Sequence, residues 1–281
     1  WYRSRGLGDV YKRQVLLDVR TEEEWGTDGK PDGEKMGLKT HFLTIQFADK
    51  SFNQNFIEDF KKLNIQNQDE ITALILESKP RAILNFAAES HVDRSIEGPE
   101  NFIHSNIVGT YSLLEASLQY WNSLGEKDKD NFRFFHISTD EVFGSLNMSD
   151  EKSTEESPYR PNSPYSASKA ASDHLVRAWH HTFELPTLIS NCTNNYGPHQ
   201  HQEKLIPLII TNALKNKNLP IYGDGKNIRD WLYVEDHCEA IIKILANGKP
   251  GETYNIGGSC EKNNLEVVQE ICKILDSIKP K

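Results

Sequence analysis

Tyr165 and Lys169 lie four residues apart, and their types and spacing suit proton transfer. Four residues make about one turn of a helix, so in a helix both side chains point to the same face. A lysine ammonium beside a phenol stabilises the phenolate and lowers a pKa that is ordinarily about 10. A tyrosine of this kind can act as a base near neutral pH. The same spacing also occurs on ordinary solvated helix faces, so the surrounding sequence must decide between the two interpretations.

Thr139, Asp140 and Glu141 follow an apolar run, "FRFFHIS", that predicts a buried strand. Because ligands bind at the carboxyl ends of strands in a parallel sheet, Thr139 and Tyr165 can converge on one substrate hydroxyl. The threonine would orient the hydroxyl and the tyrosine would take its proton. This arrangement predicts a hydroxyl-oxidising site, which needs a hydride acceptor, and nicotinamide is the obvious candidate. The alternative for the two acids is a solvated loop or a helix cap.

Helices and strands alternate from about residue 68, and these elements must position the polar residues. The stretch "ITALILESK" places Ile71, Leu74 and Ile75 on one helical face. The next stretch, "AILNFAA", is continuously apolar at its start, as strands of parallel sheets are. The alternation predicts the α/β class, with a doubly wound, Rossmann-like parallel sheet.

A long helix is predicted for "PENFIHSNIVGTYSLLEASLQYW", with Pro99 near its start. Its inward-facing residues would be Ile103, Ile107, Leu114 and Leu118. A strand at 132–138, a helix beginning near Tyr165 and the strand "TLISNC" come next. Beyond residue 197 short strands, turns and helices mix, which predicts a smaller second region that binds the substrate.

Composition limits the kinds of partner that the chain can have. A net charge of −9 over 281 residues argues against a general nucleic-acid binder. No apolar run approaches the roughly 18 residues that a membrane-spanning helix needs. Four cysteines without metal-like spacing predict reduced core thiols in a cytoplasmic protein; they are Cys192, Cys238, Cys260 and Cys272. Three residues with metal-like spacing, His199, His201 and Glu203, have too few further ligands nearby, which predicts a flexible loop and no metal.

Several longer stretches resemble one family. They are "FAAESHVDRS", "NIVGTYSLLEA", "HISTDEVFG", "SPYSASKAASDHLVRAW", "NNYGP", "KLIPL", "LPIYGDGKNIRDWLYVEDH" and "ETYNIGG". Together they are similar to the extended short-chain dehydrogenases and, more narrowly, to the dTDP-glucose 4,6-dehydratase family. The likeness runs from about residue 68 to 281. Its most specific feature is the Thr-Asp-Glu run at 139–141, where related epimerases and decarboxylases usually carry small hydroxyl residues or alanine.

The resemblance implies a reaction and a role for each polar residue. Such an enzyme uses NAD to oxidise the 4-hydroxyl of dTDP-glucose, removes water across carbons 5 and 6, and returns the hydride to carbon 6. Tyr165, assisted by Lys169, would serve the oxidation, and Thr139 would hydrogen-bond the 4-oxygen. Glu141 would remove the proton beside the new ketone, and a protonated Asp140 would donate to the departing hydroxyl. The family likeness also implies a homodimer.

The resemblance also implies two sets of binding residues. The cofactor would be held by residues after the second strand and by residues near the catalytic pair: Phe86, Ala87, Ala88, Glu89, Ser90, Ser105, Tyr165, Lys169 and Asn195. The nucleotide sugar would contact Ser90, Thr139, Asn194, Lys204, Leu205, Pro220, Ile221, Tyr222, Arg229 and Asn264. Arg229 would grip the diphosphate, because a guanidinium binds phosphate oxygens in a bidentate fork.

The first 65 or so residues do not fit this scheme. Residues 1–14 resemble nothing in the family and are interpreted as a non-native remnant. The following stretch, 15–65, resembles the opening of a rhodanese-like domain, with Asp18 and Arg20 at the end of a strand, but that family's cysteine nucleophile is missing. The domains expected after it are an incomplete NAD-binding domain at 66–197 and a C-terminally truncated nucleotide-sugar region at 198–281. The alternative is a divergent first half of the same sheet.

Three consequences are expected if the front of the chain is foreign. The Gly-rich turn that holds the cofactor's pyrophosphate would be replaced, so NAD binding would be poor and turnover small or absent. The neighbouring strand of the sheet would be left with an unpaired edge.

The functional alternatives are a different nucleotide-sugar epimerase or decarboxylase, a rhodanese-type module, or an inactive chimeric fragment.

Overall fold

A computed structural model of the chain describes residues 14–17, 65–90, 92–146, 150–198, 200–221 and 223–278, with the backbone alone for 14–17. The predictions for residues 1–14 and 15–65 fall almost entirely outside this range. The described residues form two compact units, which are taken separately. The first unit holds residues 14–17, the stretch from 65 to Asn191, and Ile242–Asn255; the second holds Cys192–Ile241 and the residues from Ile256 onward.

Eight strands and nine α-helices lie in the described residues. The strands are β1 (Gln14–Leu17), β2 (Ala82–Asn85), β3 (Arg133–Thr139), β4 (Thr187–Cys192), β5 (Asn194–Tyr196), β6 (Ile228–Tyr233), β7 (Thr253–Ile256) and β8 (Glu261–Asn263). The helices are α1 (Gln68–Ser78), α2 (Val92–Glu97), α3 (Pro99–Phe102), α4 (Gly109–Ser123), α5 (Glu126–Asn131), α6 (Pro164–Phe183), α7 (Leu205–Leu214), α8 (Val234–Asn247) and α9 (Asn264–Ile278). A π-helical segment, Ile103–Val108, joins α3 to α4, and a 3₁₀ turn, Asp140–Phe143, follows β3.

The main sheet has the strand order β1-β2-β3-β4-β7. Its first three strands are parallel, with Ala82 opposite Arg133 and Asn85 opposite His136. Helices connect the parallel strands, because two parallel strands need a crossover connection of about a dozen residues or more. The predicted α/β class with a Rossmann-like parallel sheet is therefore confirmed.

The free edge predicted for β2 is occupied. Residues Gln14–Leu17 pair with β2 in parallel, from Gln14 opposite Ala82 to Leu17 opposite Asn85. The expectation of an unpaired edge is therefore wrong, because the chain's own "QVLL" segment supplies the backbone partners that an exposed edge lacks.

The core of the first unit lies between the sheet and helices α1, α4 and α6. The aromatic residues Phe132 and Phe134 and the helix residues Leu113 and Leu114 are almost completely buried there. Each fully buried apolar side chain of this size contributes about 1.5–3 kcal/mol. Ile71 and Ile75 are buried in the same cluster and Leu74 packs against it, so the predicted apolar face of α1 is confirmed.

The predicted long helix is interrupted by the π-helical segment, and this changes which residues face inward. Leu114 is fully buried as predicted, but Ile103 is half exposed, at 50%. Phe102 and Asn106 take the inward positions instead, at 2% and 1% exposure. A π turn contains an extra residue relative to an α turn, so side chains before and after it lie on different faces than regular spacing predicts.

The second unit contains a three-stranded sheet of order β5-β6-β8, with β5 parallel and β8 antiparallel to β6. Asp230 fixes the segment before β8, because its carboxylate oxygens accept hydrogen bonds from the backbone N–H groups of Gly258 and Cys260, both at 2.7 Å. Gly258 lies directly against the Trp231 carbonyl, where a Cβ would collide with the backbone. The predicted change of texture beyond residue 197 thus corresponds to small strands held by turns.

Two further sequence predictions concern cysteines and membranes. The four cysteines form no disulfide, but they are not core thiols: Cys260 is exposed and the other three are half-buried. Cys192 ends β4, Cys260 precedes β8, and Cys238 and Cys272 lie on partly solvated faces of α8 and α9, which the cysteine count alone does not reveal. No helix in the described part of the chain has the length and apolar content needed to cross a membrane.

Candidate functional site

Thr139 ends β3 and caps the turn that carries the two acids. Its side chain is 9% exposed, and its Oγ1 accepts a hydrogen bond from the Glu141 N–H at 3.3 Å. The same hydroxyl donates to Asp140 Oδ1 at 3.4 Å. Asp140 and Glu141 are each half-buried. The capping role that was the alternative for the acids is therefore filled by Thr139, and both carboxylates occupy the first turn after a buried strand.

Gly144 ends this turn and could hardly be another residue. Its φ is +86°, in the region that favours glycine, and a Cβ there would collide with the Arg160 carbonyl oxygen. Its N–H donates to the Glu141 carbonyl at 3.2 Å, and the Arg160 N–H donates to the Val142 carbonyl at 2.9 Å. The acid-bearing turn is thus held at both ends and along one side.

The other side of the turn packs on α6. Val142 and Phe143 form a small buried cluster with Ala170, and Tyr159 packs against it. The Phe143 and Tyr159 rings meet edge to face, with centroids 5.3 Å apart. Because Ala170 follows Lys169 directly, this contact joins the acid turn to the helix that carries the tyrosine and lysine.

Helix α6 begins with a well-formed cap. The Ser163 side chain accepts from the Ser166 N–H, and the Ser166 hydroxyl accepts from the Ser163 N–H, both at 3.0 Å. Pro164 occupies the first turn, where its missing N–H costs nothing. Tyr165 follows at once, 9% exposed, with its ring edge-on to Phe102 at 6.3 Å.

Lys169 lies one turn further along α6 and is 2% exposed. Its Nζ donates to the Ile137 carbonyl at 2.8 Å and lies 3.3 Å from Nε2 of His136. A buried ammonium is costly unless polar groups surround it, so these contacts fix where the lysine can sit. They also tie α6 to β3 two residues before Thr139.

His136 is fully buried in the middle of β3. Burial and the neighbouring Lys169 charge lower its pKa from 6.5 to about 4, and Asp173 opposes part of that shift. Nδ1 accepts from the Asn85 amide at 3.0 Å, and Nε2 lies 3.4 Å from Asp173 Oδ1. The last distance is an electrostatic contact without full hydrogen-bond geometry.

Asp173 is 2% exposed and collects three donors on one oxygen. Its Oδ2 accepts from Ser138 and Tyr159 at 2.9 Å each and from the Asn191 amide at 3.3 Å. Burial and the Asp173 charge raise the pKa of the Tyr159 phenol well above its usual range. Asn191 also donates to the Thr139 carbonyl at 3.2 Å, so the group connects back to the acid turn.

The loop after β2, which carries the predicted cofactor residues Phe86, Ala87, Ala88, Glu89 and Ser90, is held by Asn106. The Asn106 amide oxygen accepts from the Glu89 N–H at 2.8 Å, and its nitrogen donates to the Glu89 carbonyl at 3.1 Å. The same nitrogen donates to Ser168 Oγ at 2.8 Å, next to Lys169. Ser105 precedes Asn106 on the π-helical segment. The loop, the segment and α6 therefore share one buried polar contact.

The remaining predicted residues lie in the second unit. Asn194 and Asn195 are on β5, Lys204 precedes the first residue of α7, Leu205, and Arg229 is an exposed residue of β6. Pro220 and the exposed Ile221 precede the turn containing Gly225, and Asn264 begins α9, where its N–H donates to the Asn227 carbonyl at 3.2 Å. Tyr222 lies outside the described residues.

The metal-like group is only partly described, because His199 lies outside the described residues. His201 Nδ1 and Glu203 Oε2 are 3.8 Å apart. Within the described ranges, no three His, Cys, Asp or Glu side chains cluster closely enough to bind a metal ion.

Sequence reasoning missed four residues of the buried polar group: Asn85, Asn106, His136 and Asp173. His136 carried a readable signal, since it is a titratable residue inside an apolar strand. Asn106 and Asp173 lie on helical segments that carry both exposed and buried polar residues, so the sequence alone does not show that these two are buried, at 1% and 2% exposure. Their importance depends on which helix face meets the sheet, and a π turn shifts that face.

The parallel sheet, the loop after β2 and the helix bearing Tyr165 and Lys169 define a Rossmann-like α/β protein of the dehydrogenase type. The chain belongs to the GDP-mannose 4,6 dehydratase family, whose sequence model matches residues 40–280.

Individual relatives and solved structures show which enzyme of this family the chain resembles. A dTDP-glucose 4,6-dehydratase of Xanthomonas campestris pv. campestris is 60% identical over 222 residues, which are 79% of this chain and 63% of the relative. A crystal structure of dTDP-glucose 4,6-dehydratase from Bacillus anthracis in complex with NAD is 38% identical, with a TM-score of 0.70, and the match covers 94% of this chain and 81% of that one. The enzyme of the same name from Streptomyces venezuelae, with NAD and TYD bound, is 44% identical with a TM-score of 0.69, over 78% and 63% of the two chains. The narrower resemblance seen in the sequence is thus confirmed, although the chain spans less than two thirds of the Xanthomonas relative.

Proposed function

We propose that this chain is the catalytic part of a dTDP-glucose 4,6-dehydratase. The observation that carries the proposal is the Thr139-Asp140-Glu141 turn at the carboxyl end of β3, fixed against the helix of Tyr165 and Lys169. Neighbouring acids of this kind suit an elimination, which needs one base and one acid. An epimerase or decarboxylase has no comparable need for two carboxylates beside the threonine.

NAD fits the residues of the first unit. The loop 86–90 follows a parallel strand, where dinucleotides bind, and Asn106 fixes its backbone beside Ser105 and α6. Ser105, Tyr165, Lys169 and the loop would hold the cofactor, with Asn195 from β5. When bound, NAD supplies the acceptor that takes a hydride from the sugar and later returns it.

The protein's own residues would move the protons. Thr139 would orient the 4-hydroxyl, and Tyr165, stabilised as a phenolate by the Lys169 ammonium, would take the hydroxyl proton and become a phenol. Once carbon 4 is a ketone, the proton on carbon 5 is acidic and Glu141 removes it. Asp140 would give its proton to the hydroxyl that leaves carbon 6 as water. Glu141 would then return its proton to carbon 5 as carbon 6 regains the hydride, and the proton taken by Tyr165 would pass through solvent to Asp140, so the sugar loses one water.

The substrate's diphosphate would be bound by the second unit. Arg229 and Lys204 supply positive charge in a chain of net charge −9, and Arg229 is exposed on β6. Guanidinium and ammonium groups are the usual partners of phosphate oxygens. The other residues predicted for this role, Asn194, Leu205, Pro220, Ile221, Tyr222 and Asn264, would surround the nucleotide.

The test is the identity of the product. The purified chain is incubated at high concentration with dTDP-glucose and excess NAD, and the sugar nucleotide is analysed by mass spectrometry. A product lighter by one water, without net reduction of NAD, supports the proposal. A product of unchanged mass, as from an epimerase, would contradict it.

We also propose that the protein forms a homodimer through α4 and α6. Tyr111 of α4 and Phe183 of α6 are 41% and 44% exposed, and Trp179 lies between them with ring contacts to both, at 5.9 and 5.6 Å. Adjacent exposed aromatic residues of this kind are typical of protein interfaces. A second copy of the chain is the partner that the family likeness supports.

A further inference from the structure

His136 and Asp173 lie beneath the catalytic lysine and have no part in the reaction described so far. Both are almost fully buried, at 0% and 2% exposure. Nε2 of His136 lies 3.3 Å from Lys169 Nζ on one side and 3.4 Å from Asp173 Oδ1 on the other. The imidazole therefore stands between an ammonium and a carboxylate that belong to successive turns of the same helix.

The protonation of the ring follows from Asn85. The Asn85 side-chain oxygen accepts from the Ala87 N–H at 3.1 Å, so its amide nitrogen is the end that faces His136. That nitrogen donates to Thr110 Oγ1 at 3.3 Å and to His136 Nδ1 at 3.0 Å. Since Nδ1 accepts a hydrogen bond, it carries no proton, and the ring is the neutral Nε2–H tautomer.

The Nε2–H group can donate only towards the carboxylate, since an ammonium does not accept a hydrogen bond. The carboxylate of Asp173 is fixed in place because its other oxygen accepts hydrogen bonds from Ser138, Tyr159 and Asn191. Lys169 itself donates to the Ile137 carbonyl at 2.8 Å. A short, fixed set of contacts thus determines where the ammonium sits, one helical turn from Tyr165.

We propose that His136 and Asp173 are positioning residues for Lys169, with the imidazole held as the neutral Nε2–H tautomer between the ammonium and the carboxylate. The inference rests on the proposed function for the roles of Lys169 and Tyr165. The charged and titratable groups that face the ring are Lys169 and Asp173 from α6, with Tyr159 behind the carboxylate; Asn85 faces it from β2.

The first test observes the ring itself and needs no substrate. Nitrogen NMR of the full chain labelled with ¹⁵N-histidine should show His136 as an Nε2–H imidazole that does not titrate between pH 7.5 and 5.5. Its resonance should move in Lys169→Met and stay in place in the control Lys127→Met, whose lysine is exposed on α5. The resonance is assigned by its loss in His136→Gln or, should that variant not fold, by its persistence in His237→Gln. An Nδ1–H or cationic ring at pH 7, or a resonance that Lys169→Met leaves unmoved, would overturn the proposal.

The second test separates positioning from folding through kinetics. His136→Gln keeps an N–H donor near Asp173, whereas His136→Leu keeps only similar bulk. We expect kcat to fall less than about 10-fold for His136→Gln and about 100-fold for His136→Leu, with KM within 2-fold for both. The pH at which the rate rises should move upward in His136→Leu alone. Equal losses in the two variants would overturn the donor role.

The two tests keep the two proposals apart. A wrong tautomer in a chain that still forms the dehydrated product would refute only the positioning role. The predicted tautomer in a chain that forms an epimer would refute only the proposed function.

Discussion

Asp140 and Glu141 are neighbours whose side chains must differ in protonation if one is to act as an acid and the other as a base. Their backbone is fixed by Thr139 before them and Gly144 after them, so neither can easily exchange places with the other. Both are half-buried, which makes each carboxylate sensitive to the charge of its neighbour. The division of labour is therefore a property of two positions and can be tested one residue at a time.

Glu141→Gln should lower dehydration by about 10²–10⁴-fold, because an amide cannot remove the proton from carbon 5. Oxidation of the 4-hydroxyl should survive, so reduced cofactor should accumulate where the unmodified chain shows none. Stopped-flow absorbance of the reduced nicotinamide measures this. Glu151→Gln, an exposed acid in the same segment, is the control and should behave as the unmodified chain. Loss of the oxidation step in Glu141→Gln would contradict the assigned role.

The unfolding free energy should fall as pH is lowered from about 6.5 to about 4. Burial lowers the pKa of both His136 and His237 to about 4, so between these values the unfolded chain binds protons that the folded chain does not. At pH 5 each such histidine lowers the unfolding free energy by about 2 kcal/mol. Urea unfolding at a series of pH values measures the fall. In His237→Gln it should be roughly halved, whereas replacement of the half-exposed His104 should leave it unchanged.

At the scale of elements, much of the first unit could be predicted because single strands and helices carry their own signals. The strand "TLISNC" is β4 to the residue, and the helix predicted near Tyr165 begins at Pro164. The prediction that Ile103 faces inward is wrong, because a π turn leaves the sequence pattern almost unchanged while it alters which face of the helix is buried. The group around His136 could not be predicted either, because it joins β2, β3, α4 and α6 across 25 to 51 residues of sequence.

Ser163→Ala should destabilise the first unit by about 1 kcal/mol, because it removes one half of the capping box of α6. Tyr165 lies in the same first turn, so fraying there should also lower kcat. The matched control is Ser277→Ala near the end of α9, where the hydroxyl only donates to a carbonyl of its own helix. Urea unfolding and the product assay together measure both effects. A loss of stability no larger than that of the control would show that the cap is dispensable.

At the scale of the whole molecule, the exposed aromatic residues on α4 and α6 bear on assembly. Apolar side chains that remain exposed singly need no explanation, but Tyr111 and Phe183, on two packed helices, both contact the ring of Trp179. Tyr111 and Phe183 are not part of the core cluster of the first unit, whereas Trp179 packs against it.

Phe183→Glu combined with Tyr111→Glu should convert the proposed dimer into monomers, because two charges in each chain would bury four charges in a symmetric interface. Sedimentation velocity measures the change. Leu76→Glu, at 39% exposure on α1, is a control of similar exposure and should leave the dimer intact. A chain that sediments as a monomer without any substitution would contradict the proposed assembly.

Gly144 has a consequence for how this protein would look in a mutational survey. Every substitution there must overcome both a positive φ and a collision with the carbonyl of Arg160, so the position should tolerate no other residue. A screen for activity would then rank it beside the two acids, although it has no side chain and touches no reactant. Intolerance at this position would report the shape of the turn, and only the neighbouring carboxylates would report the chemistry.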